Sequence, residues 1–230
     1  MKELLSNSPK TVATVTTKDD LAQLSDIEMV VDYDVLEFRF DNLFTDKAAA
    51  TDLVKTLQTP ILGTVRSPEE GGANSISPSD RIALYHEILP LLELVDTEIG
   101  SLSLPEFSDF TAKVAERNIP LVASFHDFDA FPGASAVAAQ MNKAFELGAD
   151  IAKVAVYLDS MKDLFGLVEL VESHRNEGRL VSAMGMGPLG KVSRLVLAKA
   201  GSCLNYGYLQ QPNAPGQWSA RELRGLLSEF

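Results

Sequence analysis

Eight times along this chain a short run rich in β-branched residues is followed by a longer stretch with helical periodicity. The strand-like runs are Thr11 to Thr16, Tyr33 to Phe40, Ile61 to Arg66, Leu94 to Ile99, Pro120 to His126, Asp150 to Tyr157, Leu180 to Met184 and Ser202 to Tyr206. The helical patterns fall at Lys18 to Leu24, Asp46 to Leu57, Pro78 to Leu92, Glu106 to Arg117, Ser135 to Leu147, Met161 to Asn176, Lys191 to Ala200, and from about Ser219 onward. Alternation of this kind requires parallel strands joined by helical crossovers. Eight units in 230 residues match an α/β fold of the (β/α)8 barrel type, with a doubly wound open sheet as the runner-up. No composition break or low-complexity tract marks a linker, so residues 1–230 read as one domain. Local signals agree: Thr45 suits an N-cap, Pro78 suits a helix start, and Gly148 suits a helix stop.

Within this frame one residue is out of place. In Asp150-Ile-Ala-Lys-Val-Ala-Val-Tyr157 a lysine, Lys153, stands in the middle of an apolar strand. Alternate strand residues share a face, so Lys153 points the same way as Ile151 and Ala155. A buried amine is costly unless it is paired or used. The structural reading is a lysine salt-bridged inside the barrel. The chemical reading is a nucleophile: desolvation and nearby arginines favour the neutral amine, which attacks a carbonyl to give a Schiff base.

The polar residues near it in the pattern fall at strand C-terminal ends, where barrels of this type carry their active sites. Glu37 and Arg39 end the second run, Arg66 the third, Glu98 lies near the end of the fourth, Ser124 and His126 end the fifth, and Met184 and Met186 end the seventh. His126 is one of three histidines and suits acid–base work. His86 and His174 lie in helical patterns and read as surface residues. Glu70 follows Arg66 and is a candidate to orient His126. Arg39, Arg66 and Arg194 are candidate clamps for a carboxylate, since a guanidinium binds one through two parallel hydrogen bonds. A metal site on Glu37 and Asp41 is disfavoured by Arg39 between them. Gly185-Met-Gly-Pro-Leu-Gly190 formally fits a dinucleotide fingerprint, but it comes late and lacks an acid at the ribose position. It reads as a tight turn lined by methionines.

Net charge is −12, which argues against a nucleic-acid or anionic-membrane partner. The single cysteine, Cys203, excludes an internal disulfide and a CxxC zinc site. It reads as a small core residue in a cytoplasmic protein. Neither a signal-peptide core near the N-terminus nor a membrane-length apolar run is present in the sequence.

Six segments taken together resemble the type I 3-dehydroquinate dehydratase family of the shikimate pathway: Glu37 to Asp41, Thr64 to Gly72, Ser124 to Phe128, Ala149 to Ala155, Met184 to Gly187 and Ala214 to Gln217. The resemblance implies a cytoplasmic lyase of aromatic amino acid biosynthesis, needing neither metal nor cofactor. It would remove water from the small molecule 3-dehydroquinate to give 3-dehydroshikimate, and it leaves room for a homodimer. By motif match, Lys153 would form the imine with the C3 ketone, His126 would move the C2 proton, and Glu70 would partner His126. Arg194 would take the substrate carboxylate. Glu37, Arg39 and Arg66 would hold the ring hydroxyls and the polar network, while Met184, Met186 and Phe128 would pack on the ring. Gln217 would reach in from a lid after the eighth strand. The sequence departs from the family pattern at Asn213, where serine is usual in the lid, at Tyr206, where phenylalanine is common, and at Tyr157-Leu158. A short N-terminal lead also suggests that a hairpin capping the barrel bottom is missing. A class I aldolase and a non-catalytic carboxylate-binding barrel are the alternatives.

Overall fold

A computed structural model describes residues 5, 8–25, 32–214 and 216–229. Among them, eight parallel strands form one sheet: β1 (Lys10–Val15), β2 (Val35–Arg39), β3 (Ile61–Thr64), β4 (Leu94–Glu98), β5 (Leu121–Asp127), β6 (Ile151–Tyr157), β7 (Leu180–Met186) and β8 (Leu204–Tyr208). Consecutive strands pair from β1 to β7, and β1 also pairs with β8. The sheet therefore curls into a nearly closed barrel. Serine hydroxyls stitch its last seam. Ser182 Oγ donates to the Leu204 carbonyl at 2.7 Å, and Ser202 Oγ accepts from the Ala183 amide at 3.0 Å, beside a backbone bond from Cys203 to Val181.

Among the described residues, eight helices of at least eight residues cover the outside: α1 (Lys18–Ser25), α2 (Lys47–Val54), α3 (Pro78–Ile88), α4 (Ser108–Glu116), α5 (Ala134–Glu146), α6 (Met161–Asn176), α7 (Gly190–Ala200) and α8 (Ala220–Ser228), and a single helical turn, Ile99–Leu102, follows β4. Side chains that satisfy first-turn amides set several starts. Ser77 caps α3 with Pro78 in its first turn, Ser160 caps α6, and Ser219 with Glu222 forms a capping box on α8. Gly148, at φ +86°, follows α5 as expected of a helix stop. Thr45 is not the cap expected of it. It sits inside a 3-10 turn, Phe44–Asp46, and its hydroxyl bonds Asp46 instead. The pattern from Pro78 to Leu92 also divides. The α-helix stops at Ile88 and continues as a 3-10 turn, Leu89–Leu91, because Pro90 has no amide to donate.

Two apolar layers result. Between sheet and helices, Phe38, Phe40, Tyr85, Phe107, Phe110, Val154 and Leu167 belong to the larger core. Inside the barrel, Val12, Val35, Leu62, Leu94, Val122, Ile151 and Leu204 fill the floor at the strand N-terminal ends, joined by Leu5. Further along β1 to β7 the inward face turns polar: Thr14, Glu37, Thr64, Asp96, Ser124, Lys153 and Ser182, all buried, while β8 places Tyr206 there. An apolar plug beneath a polar ring directs the chemistry to one end of the barrel. Cys203 is a buried core residue. His174 is also buried, against the expectation of a surface residue. It continues the inward spacing Leu164, Leu167, Val171 on α6, stacks on Phe145 and contacts the Leu170 carbonyl through Nδ1. The N-terminal lead that bears on a bottom hairpin lies largely outside the described residues, as does Pro215 in the lid segment.

Candidate active site

Lys153 projects from the middle of β6 into the polar ring, where it is 3% exposed. Its Nζ lies 2.8 Å from Asp96 Oδ2 and 3.6 Å from Glu37 Oε1, and 4.0 Å above the centre of the Tyr206 ring. The neighbours nearest the amine are thus carboxylates, not the arginines expected from the sequence. Asp96 was not singled out in the sequence. The signal available was its place between Leu94 and Glu98 on one strand face, in register with Thr64. Burial alone would push the Asp96 carboxyl up, but Arg66 and Lys153 outweigh it and hold it well below the usual carboxylate range.

Arg66 stands two residues past the end of β3, where it ties the acids together. Its Nη2 donates to Asp96 Oδ1 at 2.9 Å, and its Nη1 donates to Glu98 Oε1 at 3.2 Å and to Ser124 Oγ. Thr64 Oγ1 donates to Glu37 at 2.9 Å. Arg39 is engaged by its own strand: Nε and Nη2 grip Asp41 at 2.9 and 2.7 Å in the bidentate geometry of a guanidinium–carboxylate pair.

At the end of β5, His126 meets the loop that follows β3. Glu70 Oε2 accepts from the His126 backbone amide at 3.0 Å and lies 2.9 Å from its Nδ1. Burial pushes the Glu70 carboxyl from 4.5 up to about 7, although Arg66 opposes the shift. Burial, reinforced by Arg66 and Lys153, pushes the imidazole well below 6.5. The ring is therefore neutral near pH 7, and an Nδ1–H directed at Glu70 leaves the Nε2 lone pair free. Phe128 stacks on the imidazole at 6.1 Å. Gly71, at φ +82°, permits this: a β-carbon there would stand 2.8 Å from the Phe128 ring.

Arg194 is buried at 1% exposure near the start of α7. Its guanidinium donates only to carbonyls: Tyr206 at 3.1 Å, Gly185 at 2.9 Å, and Gly190 and Gly216 both at 2.7 Å. Among the described residues no carboxylate pairs with it, and burial lowers it to about 10. The turn from Gly185 to Gly190 thus presents carbonyls to a cation, as a tight turn and not a phosphate cradle. Over the mouth, Asn213 Oδ1 accepts from Thr16 Oγ1 at 3.1 Å. The Gln217 carbonyl oxygen accepts from the Asn213 and Ala214 amides at 2.7 and 3.3 Å, and its amide N–H groups have no hydrogen-bond partner among the described residues.

The thirteen residues given roles from the sequence (Lys153, His126, Glu70, Glu37, Arg39, Arg66, Arg194, Gln217, Asn213, Met184, Met186, Phe128 and Tyr206) line one cavity of about 140 Å³, together with Thr14, Gly71, Ala155 and Ala214, while Glu98 and Ser124, also noted at strand ends, lie behind Arg66 and do not line it. A larger depression of about 790 Å³ opens at the other end of the barrel between Ser108, Asn118 and Leu121. Its one ionisable side chain, Asp150, already accepts from the Leu121 amide. Only the smaller cavity brings an amine, an imidazole and an unneutralised guanidinium together.

The family model for type I 3-dehydroquinase matches residues 11–230. A 3-dehydroquinate dehydratase of Methanocella arvoryzae is 34% identical over 210 residues, 91% of each chain. A catabolic 3-dehydroquinate dehydratase of Acinetobacter baylyi is 32% identical, covering 95% of this chain and 85% of that one. Among solved structures, 3-dehydroquinate dehydratase from Geobacillus kaustophilus superposes with a TM-score of 0.85 at 30% identity, over 97% of this chain and 91% of the other. The type I enzyme from Clostridium difficile, bearing covalently modified comenic acid, also gives 0.85, at 28% identity over 96% and 92% of the two chains.

Proposed function

This chain belongs to the type I 3-dehydroquinase family and is a 3-dehydroquinate dehydratase, a hydro-lyase; from that premise we propose which of its residues carry the reaction and how. Lys153 is the nucleophile. The cavity holds one amine and one imidazole among its described lining residues, and that pairing is the observation on which the reading rests.

In the resting site Lys153 is an ammonium held by Asp96 and Glu37. It gives up a proton to a neighbouring base, for which neutral His126 is suited, and the freed amine attacks the C3 ketone. The imidazolium returns that proton to the hydroxyl of the resulting carbinolamine, which leaves as water, giving a protonated imine and a neutral His126. That imine carries the same single positive charge as the ammonium it replaces, so the two carboxylates and the Tyr206 ring face oppose it as before. The protonated imine withdraws electrons from C2. His126 Nε2, its tautomer held by Glu70, removes the C2 proton and then returns a proton to the leaving hydroxyl. Hydrolysis of the imine frees 3-dehydroshikimate and the amine.

Arg194 takes the substrate carboxylate, being a buried cation with carbonyl partners alone. Gln217 offers its amide N–H groups from above. Met184, Met186 and Phe128 wall the ring, and Glu37, Arg39 and Arg66 keep the polar network in place. Residues 1–230 act as one catalytic domain, supported by the single sheet that runs from Lys10 to Tyr208. A cytoplasmic site of action is part of the same reading, supported by the lone buried cysteine; no described helix is long and apolar enough to cross a membrane. The aldolase and binding-barrel alternatives find no support among the relatives.

Borohydride reduction in the presence of 3-dehydroquinate is expected to add the reduced ligand to the peptide carrying Lys153, while a chelator leaves enone formation unchanged. An adduct on any other residue would reject Lys153 as the nucleophile.

A further inference from the structure

Helix α3 packs outside the barrel, yet it places Arg81 among the most buried charged groups, at 3% exposure. The side chain hooks over the end of β3. Its Nε and Nη2 donate to the Val65 carbonyl at 3.0 and 2.8 Å, and Nη1 donates to Ser101 Oγ at 3.0 Å. Nη2 also forms an ion pair with Glu98 Oε2, which Ser101 Oγ approaches at 2.6 Å. On the far oxygen of Glu98 sits Arg66, whose second nitrogen holds Asp96, whose second oxygen holds Lys153. The order of charges is plus, minus, plus, minus, plus, with Arg81 and Lys153 as its two ends.

We propose that Arg81 is a positioning residue that sets the charge balance at the Lys153 amine through Glu98, Arg66 and Asp96. The proposal rests on Lys153 being the imine-forming amine. With Arg81 present, Glu98 and Asp96 each meet two cations. Counting Glu37, three acids balance three bases. Without Arg81, Arg66 is the one cation left on Glu98, beside the Ser67 amide and the Ser101 hydroxyl, and it holds Glu98 through the longer of its two acid contacts, 3.2 Å against 2.9 Å. Arg66 is drawn toward Glu98 and away from Asp96, and a net negative charge remains in a water-poor network. Both effects favour the ammonium at Lys153 over the free amine. The other charged or titratable groups that line the cavity with the amine are Glu37 and Arg39 on β2, Arg66 and Glu70 after β3, His126 on β5, Arg194 on α7 and Tyr206 on β8. Arg39 is held by Asp41 and Arg194 by backbone carbonyls, so neither takes the place of the lost cation on Glu98.

The test follows the amine itself. Lys153 is reductively methylated with formaldehyde and cyanoborohydride across a pH series in wild type, Arg81→Gln, Arg81→Lys and Glu98→Gln, and its peptide is quantified by mass spectrometry. Arg81→Gln keeps donors for Val65 and Ser101 but no charge. Its labelling midpoint is expected to rise by about half a pH unit or more, roughly a threefold fall in free amine. Arg81→Lys retains the charge and keeps the wild-type midpoint. Glu98→Gln removes the opposite charge and lowers the midpoint. An unmoved midpoint in Arg81→Gln, or an equal rise in Arg81→Lys, overturns the proposal. If Arg81→Gln fails to fold, an unmoved midpoint in Glu98→Gln does so instead. Borohydride trapping of wild type separates the two readings: no adduct at Lys153 removes the nucleophile assignment, whereas an adduct there with unmoved midpoints removes only the role of Arg81.

Discussion

Replacing Glu70 by glutamine should stabilise the protein while slowing it. The carboxyl is pushed from 4.5 to about 7 by burial, so its ionised form is disfavoured in the folded state. A group with a raised acid pKa costs nothing below its unfolded value and its full penalty above its folded value. The difference of about 2.5 units, at about 1.4 kcal/mol each, sets a ceiling of about 3 kcal/mol near pH 8. The side chain is 18% exposed, and the water that reaches it reduces the expected gain to about 1–2 kcal/mol. Glutamine keeps an oxygen able to accept from the His126 amide and Nδ1, so the substitution removes charge and little geometry. Urea unfolding of both proteins at about pH 8 and pH 5 reads the effect. The advantage of Glu70→Gln should fall below about 1 kcal/mol at the lower pH, where folded Glu70 is protonated. With the carboxylate gone, the imidazolium formed during proton transfer loses its partner, and kcat should drop by about tenfold or more. A stability difference of the same size at both pH values would refute the argument that a desolvated carboxylate is its source.

Arg194→Ala should weaken binding of the substrate, or of an unreactive carboxylate analogue, by about 3 kcal/mol, roughly a hundredfold in Kd by calorimetry; unchanged affinity removes Arg194 from the site. Gly71→Ala forces a β-carbon toward the Phe128 ring at φ +82°. It should cost about 1 kcal/mol in thermal or urea unfolding and lower kcat/KM, while borohydride still traps Lys153. Lys153→Ala should abolish turnover, take the paired cation from Glu37 and leave Asp96 with Arg66 alone, lowering stability by about 3 kcal/mol near pH 7. Wild-type stability in that variant would mean that the buried acids do not depend on the amine.

Much of the architecture could be read along the chain because its signals are local. Strand and helix periodicities survive without any knowledge of what packs on them, and eight repeats of the pair leave few topologies. Lys153 stood out for the same reason: one amine in a run of apolar neighbours. The misreadings came where a local signal meets a non-local one. Thr45 has the chemistry of a cap, but the chain turns through it as a 3-10 segment. His174 sits on a helix whose inward stripe extends one turn further than its aliphatic residues suggest.

What the amino-acid order determined alone was the sequence of elements, the end of the barrel that carries polar side chains, and the identity of the amine and the imidazole. Charge partnership was decided only in three dimensions. Asp96 reaches Lys153 across 57 positions, Glu70 reaches His126 across 56, and Arg81 reaches the same network from a helix outside the barrel. Such contacts are set by strand register and barrel closure, which depend on the whole sheet. Whether the amine rests as a paired ammonium, and whether the imidazole is neutral, depends in turn on distances of a few ångströms that no local pattern encodes.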